Sequence, residues 1–347
     1  MKSLKASSAQ IAAVHPPSAI EGGRITIQGA GFAIDGPRLP DVRIGRARAR
    51  VVFASADRLI VVVPAGLEGG QMPVRIWGAA GAAGSSASVR IAAPLATGLH
   101  QVDNPIFDRD GNLYVTYSGT RGQQVPVSIF RVRPNGTRET FSSGIVNPTS
   151  MAIDADGRLY VSSRFEGVVY RVAADGSAEP FASDLGVACG LAFAPPSEGG
   201  TLFVGDRSGT IFKVDRDGRA STFASVPASV AAFHLAYGPP GPNAALHVTG
   251  PTLSSCDALY RIDADGIVTK AYDGFGRPQG LAFDKHGTLH VIDALAGSSG
   301  LYRLNSNGSP ELVLAGPGLV GLAFAPDGSL VASSNDTAYG LAPQLAT

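Results

Sequence analysis

Three side chains in this sequence have types suited to acid–base or metal chemistry: Asp103, Asn104 and His234. Carboxylate and amide oxygens are good ligands for a hard cation such as Ca²⁺, and histidine is the side chain that most often serves as a general base. Asp103 and His234 are therefore the candidate catalytic residues, with Asn104 as a ligand-binding neighbour. The alternative is structural, because buried Asn and His side chains usually satisfy nearby backbone groups.

A second set of candidates is expected to contact a ligand: Thr149, Cys189, Gln279, Asp206 and Asp293. Gln279 offers an amide oxygen, so Asp103 and Gln279 are the candidate metal ligands, for Ca²⁺ or another divalent cation. No other cofactor is predicted. Asp206 and Asp293 fall in loops, where Asp readily bonds to the backbone two residues on, and a role in turns is their alternative interpretation.

The sequence contains two cysteines, Cys189 and Cys256, which excludes a disulfide framework. They permit one bridge, which would indicate an oxidising compartment, or two separate thiols. A catalytic cysteine is not predicted, because His234 is the only candidate partner and no orienting acid is evident.

An internal repeat determines which elements position these residues. Six phrases align, each with a strand, a turn and a second strand: NPIFDRDGNLYV from Asn104, NPTSMAIDADGRLYV from Asn147, CGLAFAPPSEGGTLFV from Cys189, HLAYGPPGPNAALHV from His234, PQGLAFDKHGTLHV from Pro278 and VGLAFAPDGSLVA from Val320. The phrases recur about every 40–50 residues, which is the length of one four-stranded propeller blade. Third and fourth strands follow the first five phrases. The pattern predicts a six-bladed β-propeller.

The last unit runs out of chain before its fourth strand. A radial array must join its first and last blades, and a strand lent across that seam pairs backbone groups that would otherwise be exposed. We therefore expect residues near Ala93 to Leu99, just before the first unit, to complete the last blade.

In such an array the residue ahead of each first strand faces a common channel mouth. That column consists of Asp103, Thr149, Cys189, Phe233, Gln279 and Val320, or, one residue later, includes Asn104, Ser150 and His234. Loops after the second strands open on the same face and add Asp206, Asp293, Arg164, Glu166, Asn335 and Asp336.

The first ninety or so residues break this period and contain short alternating runs typical of a small β-sandwich: RITIQG from Arg24, VRIG from Val42, RVVFAS from Arg50, LIVVVP from Leu59, PVRIWG from Pro73 and SVRIA from Ser88. The phrase HPPSAIEGGRITIQGAGF, followed by V-x-I-G and V-P-x-G, resembles the immunoglobulin-like IPT/TIG domain. The predicted domains are residues 1–92, an IPT/TIG-like sandwich, and 93–347, the propeller.

The repeats resemble the NHL-repeat and gluconolactonase/regucalcin superfamily. That resemblance implies a metal site at the channel mouth, built from a Glu in the first blade and Asn and Asp in later blades. Asp103 stands in the place of that Glu, and Gln279 is the other oxygen donor of the column.

Charge and apolar patterning limit the kinds of partner and the compartment that we expect. Lys and Arg total 28 against 28 Asp and Glu, with no charged run, so nucleic acid is excluded as an expected partner. Apolar runs are too short to span a bilayer. MKSLKASSAQIAAV lacks the apolar core of a signal peptide, so the expected compartment is cytoplasmic, with export to the cell surface as the alternative.

Two functions follow from these observations. The first is a propeller that binds a small molecule or a peptide at its mouth, with the immunoglobulin-like sandwich as an accessory domain and no catalysis. The alternative is a metal-dependent hydrolase, a lactonase of the gluconolactonase kind acting at the same mouth.

Overall fold

The computed structural model describes residues 9–32, 34, 39–77, 86–241, 244–295 and 297–342. Residues 1–8 lie outside the described residues, and they include much of the segment that was predicted not to be a signal peptide. The chain divides into two units: unit 1 holds residues 1–94, 297–301 and 312–317, and unit 2 holds 95–296, 302–311 and 318–347. Among the described residues no helix is long and apolar enough to cross a membrane.

Unit 1 is built from strands that follow one another antiparallel in the order β1-β3-β6-β5-β4-β7-β8. Their bounds are β1 (Gln10–His15), β2 (Ser18–Ala19), β3 (Arg24–Ala30), β4 (Asp41–Ile44), β5 (Ala47–Ala54), β6 (Arg58–Val62), β7 (Gly70–Trp77) and β8 (Ala87–Ile91). Alternate residues such as Ile25 and Ile27 of β3, and Leu59 and Val61 of β6, are fully buried in one apolar core. The six runs predicted as strands are confirmed as β3 to β8.

The repeats form four-stranded antiparallel sheets. The strands of the first two sheets are β10 (Ile106–Phe107), β11 (Leu113–Thr116), β12 (Ile129–Val132), β13 (Arg138–Ser142), β14 (Pro148–Ile153), β15 (Leu159–Ser163), β16 (Val168–Val172) and β17 (Ala178–Ala182). The next two sheets contain β18 (Ala188–Phe193), β19 (Leu202–Asp206), β20 (Thr210–Val214), β21 (Ala220–Ser225), β22 (His234–Tyr237), β23 (Leu246–Thr249), β24 (Asp257–Ile262) and β25 (Val268–Phe275).

The remaining strands are β26 (Pro278–Phe283), β27 (Leu289–Asp293), β28 (Gly300–Leu304), β29 (Pro310–Ala315), β30 (Leu319–Phe324), β31 (Leu330–Ser334), β32 (Ala338–Leu341) and β9 (Ala93–Ala96). First strands contact one another in the sequence β10, β14, β18, β22, β26 and β30, and β30 contacts β10 again. The first strands therefore close a ring, which is a propeller arrangement.

The number of separate blades differs from the prediction. Among the described residues five four-stranded sheets stand alone, not six, because β26 to β29 are part of a twelve-stranded sheet. Within unit 1, β2 pairs in parallel with β29, Ser18 opposite Leu314 and Ala19 opposite Ala315. This pairing satisfies backbone groups that an outer blade strand would otherwise expose.

The closing strand is confirmed. The last sheet has the order β30-β31-β32-β9, so the segment before the first repeat supplies the fourth strand of the last one. Ala96 of β9 is 7% exposed and belongs to an apolar cluster with Val331, Ala338, Leu113 and Val115, from the last and first repeats.

Replacing Ala96 with Asp should lower the free energy of unfolding by about 2 kcal/mol or more, because it buries a carboxylate among alkyl groups. Leu95, its neighbour on the other face of β9, is 45% exposed. The control Leu95→Asp should lower it by less than about 1 kcal/mol. Equal losses of unfolding free energy in denaturant titrations of the two variants would contradict the packing of β9 between the last and first repeats.

Candidate functional site

The centre of the ring holds a hydrogen-bonded Asp–His pair. Asp103 Oδ1 lies 2.5 Å from His234 Nδ1, and the side chains are 2% and 0% exposed. Asp103 precedes β10, and His234 begins β22, three places away in the ring of first strands. The contact therefore joins opposite sides of the ring across its axis.

Asn104 fills the space beside this pair. Its Nδ2 donates to the carbonyl of Leu281 at 2.8 Å, and its Oδ1 accepts from the backbone N–H of Leu322 at 3.0 Å. A Cβ on Gly280 would lie 2.2 Å from Asn104 Oδ1, and one on Gly321 would lie 2.5 Å from the carbonyl oxygen of Asp103. Glycine at both positions is what lets Asp103 and Asn104 enter the ring.

Next to this pair lies a cavity of about 440 Å³, whose wall includes neither Asp103 nor His234. Gln101 lines the cavity and donates through Nε2 to the Asp103 carbonyl at 2.8 Å, so it forms the floor of the cavity on the side of the buried pair. All six repeats contribute to the wall, through His100, Gln101, Val102, Arg121, Arg164, Phe165, Val187, Cys189, Arg207, Ala231, Ala232, Gln279, Val320 and Asn335.

The wall carries positive charge. Arg121, Arg164 and Arg207 line it, and none of its described residues is Asp or Glu. Burial lowers the pKa of Arg164, and the positive charge of Arg207 acts in the same direction. Burial also lowers the pKa of His100, again assisted by Arg164, so His100 is a neutral imidazole at pH 7.

The residues of the predicted column that line the cavity lie within β-bulges, although β14 has a similar shift between Pro148 and Met151 and its Thr149 does not line the cavity. Pairing shifts between Ala188 and Gly190, between Pro278 and Leu281, and between Leu319 and Gly321, and bulges of this kind redirect side chains. The residues inside these shifts include Cys189, Gln279 and Val320, and all three line the cavity. The pairing of β22 is regular from His234 to Tyr237, and Phe233 is packed in an apolar cluster.

The other ligand-contact candidates bond to the backbone instead. Thr149 is buried, and its hydroxyl donates to the Asn147 carbonyl at 3.0 Å. Asp206 accepts from the N–H of Val187 at 2.8 Å. Asp293 accepts from the N–H groups of Gly276 and Arg277 at 3.0 and 2.6 Å.

Burial raises the pKa of Asp293, although these backbone N–H groups oppose the rise. None of Thr149, Asp206 and Asp293 is among the cavity-lining residues. These three side chains hold loops in the described structure.

Cys189 and Cys256 are both free, the first buried and the second exposed. Of the two alternatives left by the sequence, the structure therefore has separate thiols and no bridge. Burial raises the pKa of Cys189 to about 11, so this cavity-lining thiol is protonated at neutral pH and is a poor nucleophile.

Arg121, Arg207 and His100 were missed by the sequence reasoning, whereas Arg164 and Asn335 were expected at the mouth. A signal for Arg207 exists in the repeat. Arg164, Arg207 and Asn335 each stand three residues after the end of the L-Y-V, L-F-V or L-V-A pattern. Arg121 falls in a longer loop, so that spacing does not find it.

The donor set does not fit the cation site that the gluconolactonase resemblance implies. Ca²⁺ requires six to eight oxygen ligands. Asp103 gives one carboxylate oxygen to His234, both Asn104 side-chain atoms are engaged, and Gln279 Nε2 lies 3.4 Å from the Arg277 carbonyl. Among the described residues no group of three or more His, Cys, Asp or Glu side chains is placed to hold a metal.

A larger cavity, about 600 Å³, lies at the other end of β15, between the second and third sheets. Arg158 and Arg171 in its wall form ion pairs with Asp156 and Glu179. Because these charges are already compensated, the smaller cavity at the channel mouth is the better candidate binding site.

A family model matches only the first part of the chain, whereas solved structures match most of it. Residues 9–91 match the IPT/TIG domain family. A search among curated protein sequences finds no match. Three solved structures align with 96%, 80% and 71% of the chain.

An auxiliary nutrient binding protein from Bacteroides ovatus is 13% identical, with a TM-score of 0.55, over 96% of this chain and 98% of its own. A gluconolactonase from Xanthomonas campestris is 16% identical, with a TM-score of 0.57, over 71% of this chain and 89% of its own. Virginiamycin B lyase from Staphylococcus aureus is 14% identical, with a TM-score of 0.50, over 80% and 93%. These similarities show a propeller-like fold.

Iodoacetamide at pH 8 should alkylate Cys256 in the native protein and leave Cys189 unmodified. A thiol with a pKa of about 11 is thiolate in only about one molecule in a thousand at that pH, and Cys189 is also buried. In denaturant both should react. Mass spectrometry that finds equal native labelling, or a Cys189–Cys256 disulfide, would contradict the described environment.

Proposed function

We propose that this protein is a ligand-binding propeller without catalytic activity, and that its ligand is held in the cavity at the channel mouth. Residues 1–92 act as an immunoglobulin-like accessory domain and residues 93–347 as a six-bladed propeller, with β26 to β29 serving as one blade. One observation carries the binding function: the cavity wall is rich in hydrogen-bond donors, whereas the candidate acid–base pair lies beneath the floor.

Size and lining support this proposal. Pockets for small ligands usually occupy about 300–1,000 Å³ and combine apolar walls with a few polar groups. The cavity of about 440 Å³ combines Val102, Val187 and Val320 with amide and guanidinium groups. The similar protein from Bacteroides ovatus is described as a nutrient binding protein, which is compatible with a binding role here.

The alternative proposal is a metal-dependent hydrolase of the lactonase type. The Asp103–His234 hydrogen bond favours it, since an acid held against a histidine is the arrangement of a general base. For this function the floor must open, because neither side chain reaches the cavity in the described structure.

A cavity-filling variant separates these proposals. Ala232→Trp places an indole in the cavity, and Ala220→Trp places one on an exposed strand as a control. In a thermal-shift screen of organic acids, sugars, amino acids and short peptides, ligands should raise the Tm of the wild type and of Ala220→Trp. They should not raise that of Ala232→Trp, because only a free cavity binds them.

The same proteins should not hydrolyse sugar lactones in the presence of Ca²⁺ or Zn²⁺ faster than Asp103→Ala does. Divalent-cation-dependent hydrolysis that disappears in Asp103→Ala would overturn the binding proposal in favour of the lactonase.

A further inference from the structure

The guanidinium groups of the cavity lack counter-charges. Within the described part of the chain, Arg121, Arg164 and Arg207 take part in none of the ion pairs, which engage other arginines. Two nearby acids are engaged elsewhere: Glu166 accepts from the Tyr170 hydroxyl at 3.0 Å, and Asp206 accepts from Val187 N–H. Among the described residues, no carboxylate therefore lies within ion-pair distance of these three arginines.

The repeat itself places two of these charges side by side. Arg164 follows β15 and Arg207 follows β19, at the same position of successive repeats, and the first strands of those repeats are neighbours in the ring. The two positive charges repel each other, and Arg207 contributes to the lowered pKa of Arg164. An arrangement that repels itself when empty is stabilised by any anion that enters it.

Resting on the binding function proposed above, we propose that the ligand is a small organic anion whose carboxylate or phosphate group is bound by Arg164 and Arg207. Guanidinium groups match the geometry of these oxyanions through paired N–H donors. Arg121 adds a third positive charge, and Gln279 and Asn335 offer neutral hydrogen-bonding groups to the rest of the ligand.

The size of the cavity selects a metabolite rather than a polymer. About 440 Å³ holds a compact molecule, whereas a peptide requires an extended groove. The arginines therefore supply the charge for anion selectivity, and His100 adds an imidazole whose pKa is lowered by burial and by Arg164.

The test measures binding of citrate, glucose 6-phosphate and inorganic phosphate by calorimetry and thermal shift, with glucose as the neutral probe. Ionic strength is held constant with NaCl, because screening weakens all charge interactions. The proteins are the wild type, Arg164→Gln, Arg207→Gln, the double variant, Arg164→Lys and Ala232→Trp. Arg219→Gln is the matched control, since Arg219 is 79% exposed and paired with Asp217.

At least one anion should bind the wild type and Arg219→Gln, and glucose should not. Each single glutamine variant should bind that anion about tenfold or more weakly, and the double variant should not bind it detectably. Arg164→Lys should be intermediate, because it keeps the charge but loses the paired donors. Without anion, the double variant should unfold at the wild-type temperature or above it, since like-charge repulsion is removed.

Two results overturn the inference and are distinguishable from each other. If neutral compounds bind the wild type but not Ala232→Trp, and the glutamine variants bind them equally well, the anion proposal fails while the binding function stands. If neither anions nor neutral compounds bind the wild type, or if anions bind the wild type and Ala232→Trp alike, the cavity is not a binding site for them and both proposals fail.

Discussion

Side chains must fill the centre of a ring of first strands. In this protein Asp103 and His234 do so, and a hydrogen bond joins them. Both groups are buried, and a buried polar group without a partner costs free energy that the fold must recover elsewhere. The pair satisfies this requirement for His234 Nδ1 and Asp103 Oδ1, whereas His234 Nε2 is buried without a hydrogen-bond partner. The Asn104 side chain is satisfied by hydrogen bonds to the backbone of Leu281 in β26 and Leu322 in β30. Glycine at positions 280 and 321 leaves the room for these contacts.

The floor divides the mouth into two chemical layers. Below it, the residues best suited to acid–base chemistry are engaged with one another. Gln101 forms the floor, and above it lies a cavity whose charged groups, among the described residues, are all cationic. One fold can support different functions, and this separation is the observation on which the proposed binding function rests.

Much of the architecture was predictable from the sequence. Turn glycines and alternating apolar runs marked the strands, and the missing fourth strand of the last repeat identified β9. The pairing of β2 with β29 was not predictable, because backbone pairing between distant segments leaves no side-chain pattern. It is the reason that five sheets stand alone.

The site was predictable only in part, for a local reason. Cys189, Gln279 and Val320 lie within bulges of β18, β26 and β30 and line the cavity. In the fourth repeat β22 pairs regularly, Phe233 is packed in an apolar cluster and His234 meets Asp103. A sequence register that is uniform across repeats cannot anticipate this difference. Of the arginines, Arg164 was expected and Arg207 occupies the same repeat position, whereas Arg121 falls in a longer loop where that spacing is lost.

A double-mutant cycle on Asp103 and His234 tests the central claim most directly. The free energy of unfolding is measured for the wild type, Asp103→Ala, His234→Ala and the double variant. If the pair joins the ring across its axis, each single substitution costs about 3 kcal/mol and the double variant little more, a coupling of at least about 2 kcal/mol. Losses that add to within about 0.5 kcal/mol would contradict the account.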